Sequence, residues 1–379
     1  MSSEPGARSS AAVDIVRKVS LANASLGYGD NGLIFEVHDP LPEALWQHPQ
    51  QFWSPVLSSR IPGLRGVWIK YEGSHISGSF KDRIIRATLA ALLEKHPDCS
   101  GIVVPSSGNA AVSAAVFAAR HQLPMIAIVP EGTPDARMLP ILARGAAVLR
   151  AGEGPSASYA LAYRIASELG YFPLLSTFAS PWAEWGCRAI GRELAVQLPQ
   201  VQHVVAPVSA GPVLVGTING LREAGHPAVF PVAIQAQGCA PIAAAFRAGS
   251  DHVVPWQQPV TTAAGAIADR LEGYPQDGTR VLSLLRQHGG LADAVSDEAM
   301  AYARAALLRY DGLDAEFSAC AAVAWLMGAP DRVRPGTVAI VTASGFKHTF
   351  AGDVPVASPN HAAIEGRLRH LLPPGASFL

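Results

Sequence analysis

The apolar and polar positions of this chain alternate between two spacings, which predict strands and helices that follow one another. Short apolar runs predict strands at 67–71, 102–104, 125–129, 146–149, 204–208, 229–235 and 338–341. Apolar residues spaced three and four apart predict helices at 84–95, 110–121, 134–144, 156–169, 182–197, 213–223, 240–248, 297–310 and 315–327. This alternation predicts an α/β fold of two lobes, with parallel sheets flanked by helices. We expect a cleft where the carboxyl ends of the strands meet.

Four segments fall outside this alternation. Residues 1–12 are small and polar, and we expect them to be disordered. Residues 41–57 are rich in aromatic side chains and predict a helix packed in the core. Residues 250–280 are rich in Gly, Pro and polar side chains, which predicts a long loop of the kind that often has a function. Residues 352–379 predict a tail with one helix near 362–371.

The composition limits the classes of function. The chain has 379 residues and a formal net charge of −1, so we expect no basic surface for nucleic acid. Its four cysteines are far apart and form no CxxC pair, which predicts neither a disulfide framework nor a metal site. We find no apolar leader at the amino terminus and no apolar run long enough to span a membrane, and therefore expect a cytoplasmic protein.

One lysine, Lys81, lies at a predicted junction between a loop and a helix. It belongs to the stretch Ser77–Arg83, which reads SGSFKDR, and Ser79 with Asp82 predicts a capping box at the helix start. Burial against apolar neighbours would disfavour the charged form of the amine, which suits a lysine that forms a Schiff base. An ordinary surface lysine in a first helical turn fits the stretch as well, so the stretch alone leaves both interpretations open.

Three further loops each follow a predicted strand. Residues 105–109, PSSGN, open a helix whose N–H groups and hydroxyls suit a carboxylate, or they form an ordinary helix cap. Residues 207–216, PVSAGPVLVG, suit a phosphate at a helix start, or they form a plain turn. Residues 342–347, TASGFK, offer a hydroxyl to a ring nitrogen, or they close the domain as a turn.

Together and in this order, the four loops resemble those of the fold-type II pyridoxal-phosphate (PLP) enzymes, the superfamily of the tryptophan synthase β chain. The chain is most similar to threonine synthase. SGSFKDR resembles the TGSFKDR motif of that family, and Ser106–Asn109 resembles its S-[TS]-G-N loop. Residues 235–242 resemble QAEGxxPI, and TASGFK resembles TGHGLK. The resemblance covers about residues 65–350.

The resemblance implies a two-lobed fold with PLP in the cleft between the lobes. Residues 1–82 and 188–379 would form a large PLP-binding domain, and residues 83–187 a small mobile substrate domain. Superfamily members are commonly homodimers, so a homodimer is expected as well. The expected partner is a small amino-acid substrate, without nucleic acid or membrane.

The resemblance also implies roles for individual residues. Lys81 would hold PLP as a Schiff base and later move the Cα proton of the substrate. Asn109 would contact the phenolic oxygen of PLP, and Thr342 would face its pyridine nitrogen. The phosphate would lie against Ser209, Ala210, Gly211 and Val213. The substrate would contact Ser106, Ser107, Gly108, His75 and Ser79. His75 could act as a general acid or phosphate ligand, or simply be solvated.

Several positions depart from the family pattern. Ser209 and Pro212 replace glycines of the phosphate loop, His75 replaces an asparagine, and Ser344 replaces the histidine of TGHGLK. These departures leave the substrate open. The leading prediction is a threonine synthase-like lyase that converts O-phosphohomoserine to threonine and phosphate. One alternative is β-replacement or β-elimination on phosphoserine, acetylserine, serine or threonine. The other is a non-catalytic relative that binds PLP or an amino acid.

Overall fold

The structure, a computed structural model, describes residues 53–150, 155–178 and 180–347. These residues form two β-sheets flanked by helices. The strands are β1 (Val56–Ser58), β2 (Trp68–Tyr71), β3 (Ile102–Pro105), β4 (Met125–Val129), β5 (Ala147–Arg150), β6 (Phe172–Pro173), β7 (His203–Pro207), β8 (Phe230–Ala236), β9 (Leu291–Val295) and β10 (Thr337–Val341). The helices are α1 (Lys81–Lys95), α2 (Asn109–Arg120), α3 (Asp135–Leu142), α4 (Pro155–Leu169), α5 (Pro181–Gln197), α6 (Pro212–Glu223), α7 (Pro241–Arg247), α8 (Pro275–Gln287), α9 (Asp297–Ala306) and α10 (Ala321–Met327). The predictions for residues 1–12, 41–52 and 352–379 lie outside the described residues.

The larger sheet has six strands in the order β1-β2-β10-β7-β8-β9. Its edge strand β1 runs antiparallel to β2, and the other neighbours pair in parallel. The smaller sheet has four parallel strands in the order β5-β4-β3-β6. The predicted α/β fold with parallel sheets is confirmed, with one antiparallel pair at an edge.

Strand β10 shows why a strand of the larger sheet is a continuous apolar run in the sequence. Val338 and Ile340 belong to a core with helices α5 and α6, while Ala339 and Val341 belong to a core with α9 and α10. Successive side chains of a strand point to opposite faces, so helices on both faces bury every residue of the strand. The sheet is therefore fixed from both sides, and the loops after its strands start from rigid positions.

Three secondary-structure predictions are wrong. The long loop predicted at 250–280 ends early, because α8 begins at Pro275 and buries Val281 and Leu285 in the core. Residues 56–58 form strand β1 and no helix, since their backbone pairs with β2. The helix predicted at 315–327 opens as a 3₁₀ turn at Phe317–Cys320 before α10. Tertiary pairing overrides local preference in such short segments.

The two sheets draw on different parts of the chain. The larger sheet takes its strands from 56–71 and 203–341, and the smaller sheet from 102–173. The domain boundaries expected at 82/83 and 187/188 stay a prediction. Within the described residues, no helix is both long enough and apolar enough to cross a membrane. The four cysteines are free thiols.

Candidate active site

Lys81 is placed by backbone hydrogen bonds between its loop and the loop after β10. The N–H of Phe80 donates to the carbonyl of Thr342 at 2.9 Å, and the N–H of Ser344 donates to the carbonyl of Gly78 at 2.9 Å. Gly78 has a φ of +82°, a conformation that side chains rarely adopt. The pairing brings Lys81 and Thr342 together, as the sequence predicted for two of its four loops.

The amine of Lys81 has a neutral partner. Its Nζ donates to the hydroxyl of Ser176 at 3.1 Å and lies 4.9 Å from the centre of the Phe80 ring. Burial lowers the pKa of Lys81 to about 8, although Cys187 and Asp269 act in the opposite direction. A substantial part of the amine is therefore neutral near pH 8, and a neutral amine can act as a nucleophile or a base. Ser176 follows β6 of the smaller sheet, so Lys81 lies between the two sheets.

The predicted capping box is wrong. Helix α1 begins at Lys81 after Phe80, which makes no side-chain cap. Asp82 instead accepts hydrogen bonds from the N–H and hydroxyl of Ser77 and, at 2.5 Å, from the hydroxyl of Ser113. Asp82 thus ties the lysine loop to α2. The hydroxyl of Ser79 is buried and has no hydrogen-bond partner among the described residues.

The loop at residues 105–109 reaches across to the larger sheet. Helix α2 begins at Asn109, whose Nδ2 donates to Oε2 of Glu316 at 2.8 Å. The N–H of Glu316 in turn donates to the carbonyl of Ala343 at 2.9 Å, beside Thr342. Glu316 was not predicted from the sequence, where it lies close to a second acidic residue, Asp314, just before an apolar run. In the same loop the N–H of Gly108 donates to the hydroxyl of Ser106 at 3.2 Å, and Ser107 lies between them.

The loop at 207–216 leads into the amino terminus of α6. Gly211 caps this helix with a φ of +105°, and a Cβ at this position would collide with Cγ2 of Val281. The N–H groups of Ser209, Ala210, Gly211 and Val213 have no acceptor among the described residues. Free N–H groups at a helix amino terminus favour an anion such as a phosphate.

A second functional candidate that the sequence analysis missed is Asp269. Its Oδ2 accepts a hydrogen bond from the hydroxyl of Ser209 at 2.9 Å, and its Oδ1 accepts from the N–H of Leu271 at 2.9 Å and the hydroxyl of Tyr274 at 3.0 Å. Burial raises the pKa of nearby Asp277 to about 7, and the negative charge of Asp269 adds to this effect. The only indication in the sequence was that residues 250–280 were predicted to form a long loop, and long loops often have a function.

His75 lies at the edge of a buried ion network, apart from the amine of Lys81. Its Nε2 is 2.9 Å from Oε2 of Glu72. Arg83 binds both Glu72 and Glu193 at 2.6 Å, and Nζ of Lys70 lies 2.6 Å from Glu193. Arg83 binds the two carboxylates and Asp82 binds Ser77 and Ser113, so these two residues of α1 do not pair with each other. The network fixes α1 against β2 and α5, directly after Lys81.

The groups around Lys81 fit PLP. The amine suits the aldehyde of the cofactor, and the unpaired N–H groups before α6 suit its phosphate. The hydroxyl of Thr342, which makes no hydrogen bond to a described residue, suits a ring nitrogen. Asp269 is the exception, because its carboxylate would repel a phosphate held next to Ser209.

Comparisons with known proteins point to the same cofactor. A family model described as "Pyridoxal-phosphate dependent enzyme" matches residues 50–345. The chain is 30% identical to a threonine synthase of Methanosarcina acetivorans over 272 residues, 70% of this chain and 65% of that synthase. It is 28% identical to an L-threonine ammonia-lyase of Thermotoga maritima over 302 residues, 77% of this chain and 70% of that enzyme.

A solved structure shares the fold. The structure of maize serine racemase has a TM-score of 0.68 and 18% identity, and the match covers 84% of this chain and 92% of that one. The match to the synthase, in contrast, spans just under two thirds of its length. Because the family model covers most of this chain, including Lys81 and Thr342, the protein belongs to the fold-type II pyridoxal-phosphate dependent enzymes, and PLP is its cofactor.

Proposed function

We propose that this protein is a PLP-dependent lyase that removes an anionic leaving group from a small amino acid. O-phosphohomoserine is the proposed substrate, and threonine and phosphate are the products. The observation that carries the proposal is the amine of Lys81, which is held by a neutral hydroxyl at 3.1 Å and has a pKa of about 8. The similarity to a threonine synthase supports this choice of substrate.

The resemblance to the fold-type II enzymes supplies the residues that would hold the cofactor in this proposal. Lys81 would bind its aldehyde, Asn109 its phenolic oxygen and Thr342 its ring nitrogen. The phosphate would lie against the N–H groups of Ser209, Ala210, Gly211 and Val213. When bound, PLP supplies an electron-accepting ring next to the α-carbon of the substrate. A neutral hydroxyl at the ring nitrogen favours elimination and replacement in the side chain over chemistry that needs a stronger electron acceptor.

Lys81 would also move the protons of the substrate. Its Nζ takes the proton from Cα and returns it later, which requires a pKa near the working pH. Ser176 keeps the amine within the cleft without the charge that a carboxylate partner would impose. Ser79, buried beside Lys81 with an unpaired hydroxyl, can donate to the substrate.

The carboxylate of the substrate would lie at the start of α2. Ser106, Ser107 and Gly108 present hydroxyls and N–H groups there, and the helix dipole favours an anion. In this proposal His75 acts on the substrate site indirectly, through Glu72, because its ring is hydrogen-bonded to that carboxylate. Closure of the small domain at residues 83–187, and assembly as a homodimer, belong to the same proposal.

An arginine supports an anionic leaving group. Nη2 of Arg137 lies 3.2 Å from the place where a Cβ on Gly265 would be, so the guanidinium of α3 reaches the loop that leads towards Asp269. This guanidinium is exposed and has no hydrogen-bond partner among the described residues. The N–H of Ala266 donates to the hydroxyl of Ser318, two residues after Glu316, and on this basis we propose that Arg137 lies at the rim of the site. A guanidinium is the side chain best suited to a phosphate.

A second candidate is β-elimination on threonine or serine. The similarity to an L-threonine ammonia-lyase supports it, and so does the neutral hydroxyl of Ser176 beside Lys81. A neutral leaving group would need no arginine, so Arg137 separates the two candidates.

Product analysis tests the proposal. The PLP-loaded protein is incubated separately with O-phosphohomoserine, O-phosphoserine, O-acetylserine, threonine and serine, and phosphate, threonine and keto acids are measured. We expect threonine and phosphate from O-phosphohomoserine, and loss of turnover in Lys81→Ala. Keto acid from threonine or serine, without turnover of O-phosphohomoserine, would support the second candidate. No turnover of any compound would support the non-catalytic relative.

Arg137→Gln tests the leaving-group assignment. We expect KM for O-phosphohomoserine to rise about 10-fold or more, because a charge-assisted hydrogen bond is lost. Arg120→Gln is the matched control, since Arg120 is an exposed arginine at the far end of α2 from Asn109. Equal KM values for the two variants would contradict the role of Arg137.

A further inference from the structure

A cavity of about 200 Å³ lies at the amino ends of the central strands of the larger sheet. His203 begins β7 and Thr337 begins β10, and both line this cavity. Ser209 and Thr342 follow the carboxyl ends of the same two strands. At about 3.3 Å per residue, Thr337 and Thr342 are roughly 16 Å apart. A molecule in this cavity is therefore not the one that reacts at Lys81.

Two residues that line the cavity each carry a buried polar atom that has no partner among the described residues. Oγ1 of Thr337 and Nδ1 of His203 are buried and make no hydrogen bond to a described residue. The other ring nitrogen of His203 donates to the carbonyl of Pro335, so Nδ1 of the neutral ring must be an acceptor. Burial lowers the pKa of His203, and the charge of Arg334 lowers it further, which keeps the ring neutral. Buried polar groups without a partner are uncommon in folded proteins, so these two atoms indicate a place for a ligand with a donor group.

Apolar walls and a charged rim complete the cavity. The walls consist of Val205, Phe230, Val232, Leu291 and Trp325. At the rim, Arg332 lies over the Trp325 ring at 4.7 Å and is 3.6 Å from Asp293. Arg334 and Asp331 are exposed at the same rim, and neither side chain has a hydrogen bond or ion pair with a described residue. The cavity thus offers unpaired charges of both signs next to an apolar interior.

We propose that this cavity binds a free α-amino acid with an apolar side chain. The carboxylate of the ligand pairs with Arg334, its ammonium group donates to Nδ1 of His203, and its side chain lies between Phe230 and Trp325. Arg334, the acceptor of His203 and the apolar walls each have a counterpart in such a molecule. An inorganic anion would satisfy Arg334 but would leave the acceptor of His203 unpaired and the apolar walls in contact with water.

The size of the cavity suits a small ligand. About 200 Å³ equals roughly seven water molecules at about 30 Å³ each. Sites for drug-sized ligands and cofactors begin near about 300 Å³, so this cavity is smaller than a typical site for a nucleotide. A single free amino acid is of the right order.

Calorimetry on the reduced holoenzyme tests the proposal. Reduction with borohydride fixes PLP on the enzyme, so an added amino acid cannot react in the active site, and the result does not depend on the reaction catalysed there. We titrate L-leucine and L-phenylalanine and expect saturable heat. Leucinamide, which lacks the carboxylate, and 4-methylpentanoate, which lacks the ammonium group, should bind at least about 10-fold more weakly, because each loses a charge-assisted hydrogen bond.

Variants locate the binding. Arg334→Gln should weaken the binding of L-leucine at least about 10-fold, and Thr337→Val, which keeps the volume of the side chain, about 5-fold. Arg120→Gln, an exposed arginine on α2, should leave it unchanged. The analogues test charge recognition on the unaltered chain, so a variant that folds poorly does not decide the outcome. Absence of saturable heat with both amino acids up to about 10 mM overturns the proposal. Equal binding of leucinamide, or unchanged affinity in both cavity variants, overturns it as well.

Discussion

Substituting Glu193 by glutamine should destabilise the protein more than most single changes. Glu193 is only 2% exposed and meets two cations, Nζ of Lys70 at 2.6 Å and Nη1 of Arg83 at 2.6 Å. Glu72 supplies the second negative charge through Arg83, so the two cations are balanced by two carboxylates. Glu193→Gln keeps the shape but removes one charge, which leaves the buried cluster with a net positive charge.

The size of the effect follows from the burial of the network. Burial lowers the pKa of Lys70, while Glu193 and Glu72 raise it, so Glu193 holds the charge of Lys70 in place. Removing one partner of a buried pair typically destabilises a protein by about 3–5 kcal/mol, because the remaining charge stays desolvated. Lys70→Met combined with Glu193→Gln restores the balance of charge. We expect the double variant to be at least about 1 kcal/mol more stable than the sum of the single effects predicts.

Urea unfolding at pH 7, followed by tryptophan fluorescence, measures the free energy of unfolding. Glu223→Gln is the matched control. Like Glu193, Glu223 meets two cations, Arg188 at 2.5 Å and Arg192 at 2.7 Å, but it does so at the surface. It should lose at most about 1 kcal/mol. A loss in Glu193→Gln no larger than that in Glu223→Gln would refute the reasoning.

The pH dependence gives an independent check of the same network. Burial alone would raise the pKa of Glu72, but Arg83 and His75 hold it well below its ordinary value of 4.5. A carboxyl whose pKa is lower in the folded state stabilises the protein above the unfolded pKa, and this stabilisation is lost as the pH falls. The wild-type protein should therefore lose stability below about pH 4.5. Glu72→Gln should be less stable at pH 7 and should flatten this part of the curve.

Three further outcomes are expected. Incorporation of PLP, followed by its visible absorbance, should speed up as the pH rises through about 8, the pKa of Lys81, and a rate independent of pH would contradict the neutral-amine interpretation. Burial raises the pKa of Asp277 to about 7 from 3.8, so the folded state binds more protons than the unfolded state between these pH values, and its stability falls as the pH rises across them. Asp277→Asn should remove this fall in urea unfolding and raise the free energy of unfolding by about 2 kcal/mol above pH 7. Gly211→Ala should lower the free energy of unfolding by about 2–5 kcal/mol and retain PLP poorly. The new Cβ would collide with Val281, and the positive φ would also strain the backbone. Gly225→Ala, with a φ of +90° and open space around it, should show only the backbone part of about 1 kcal/mol.

The fold could be predicted wherever apolar periodicity was strong. The strand predicted at 338–341 was identified because all four residues are apolar, and the helix predicted at 182–197 because one face is apolar. Strand β9 was missed because its sequence, LADAV, is short and carries Asp293, which hydrogen-bonds to the indole of Trp325 at 2.8 Å. A polar residue with a distant partner breaks the local pattern without breaking the strand.

The site was predictable in its loops but not in its carboxylates. The positions of Lys81 and Thr342 came from motifs that each follow a strand. Glu316 lies 207 residues from Asn109, and Asp269 lies 60 residues from Ser209, so no local pattern connects them. Lys70 reads as an ordinary polar residue of a strand until its partner 123 residues away is known. Such pairs depend on tertiary structure, and one sequence does not contain them as a pattern.

Two buried lysines of the same chain show how the surroundings assign their roles. Burial lowers the pKa of both Lys70 and Lys81. Lys70 has the carboxylate of Glu193 at 2.6 Å and therefore remains a charged structural partner, whereas Lys81 has the neutral hydroxyl of Ser176 at 3.1 Å. Glu72 and Glu193 are bound to Arg83 and Lys70, and neither is hydrogen-bonded to the amine of Lys81. The ion network thus contributes to reactivity as well as to stability, because it holds negative charge away from the amine that must lose its proton.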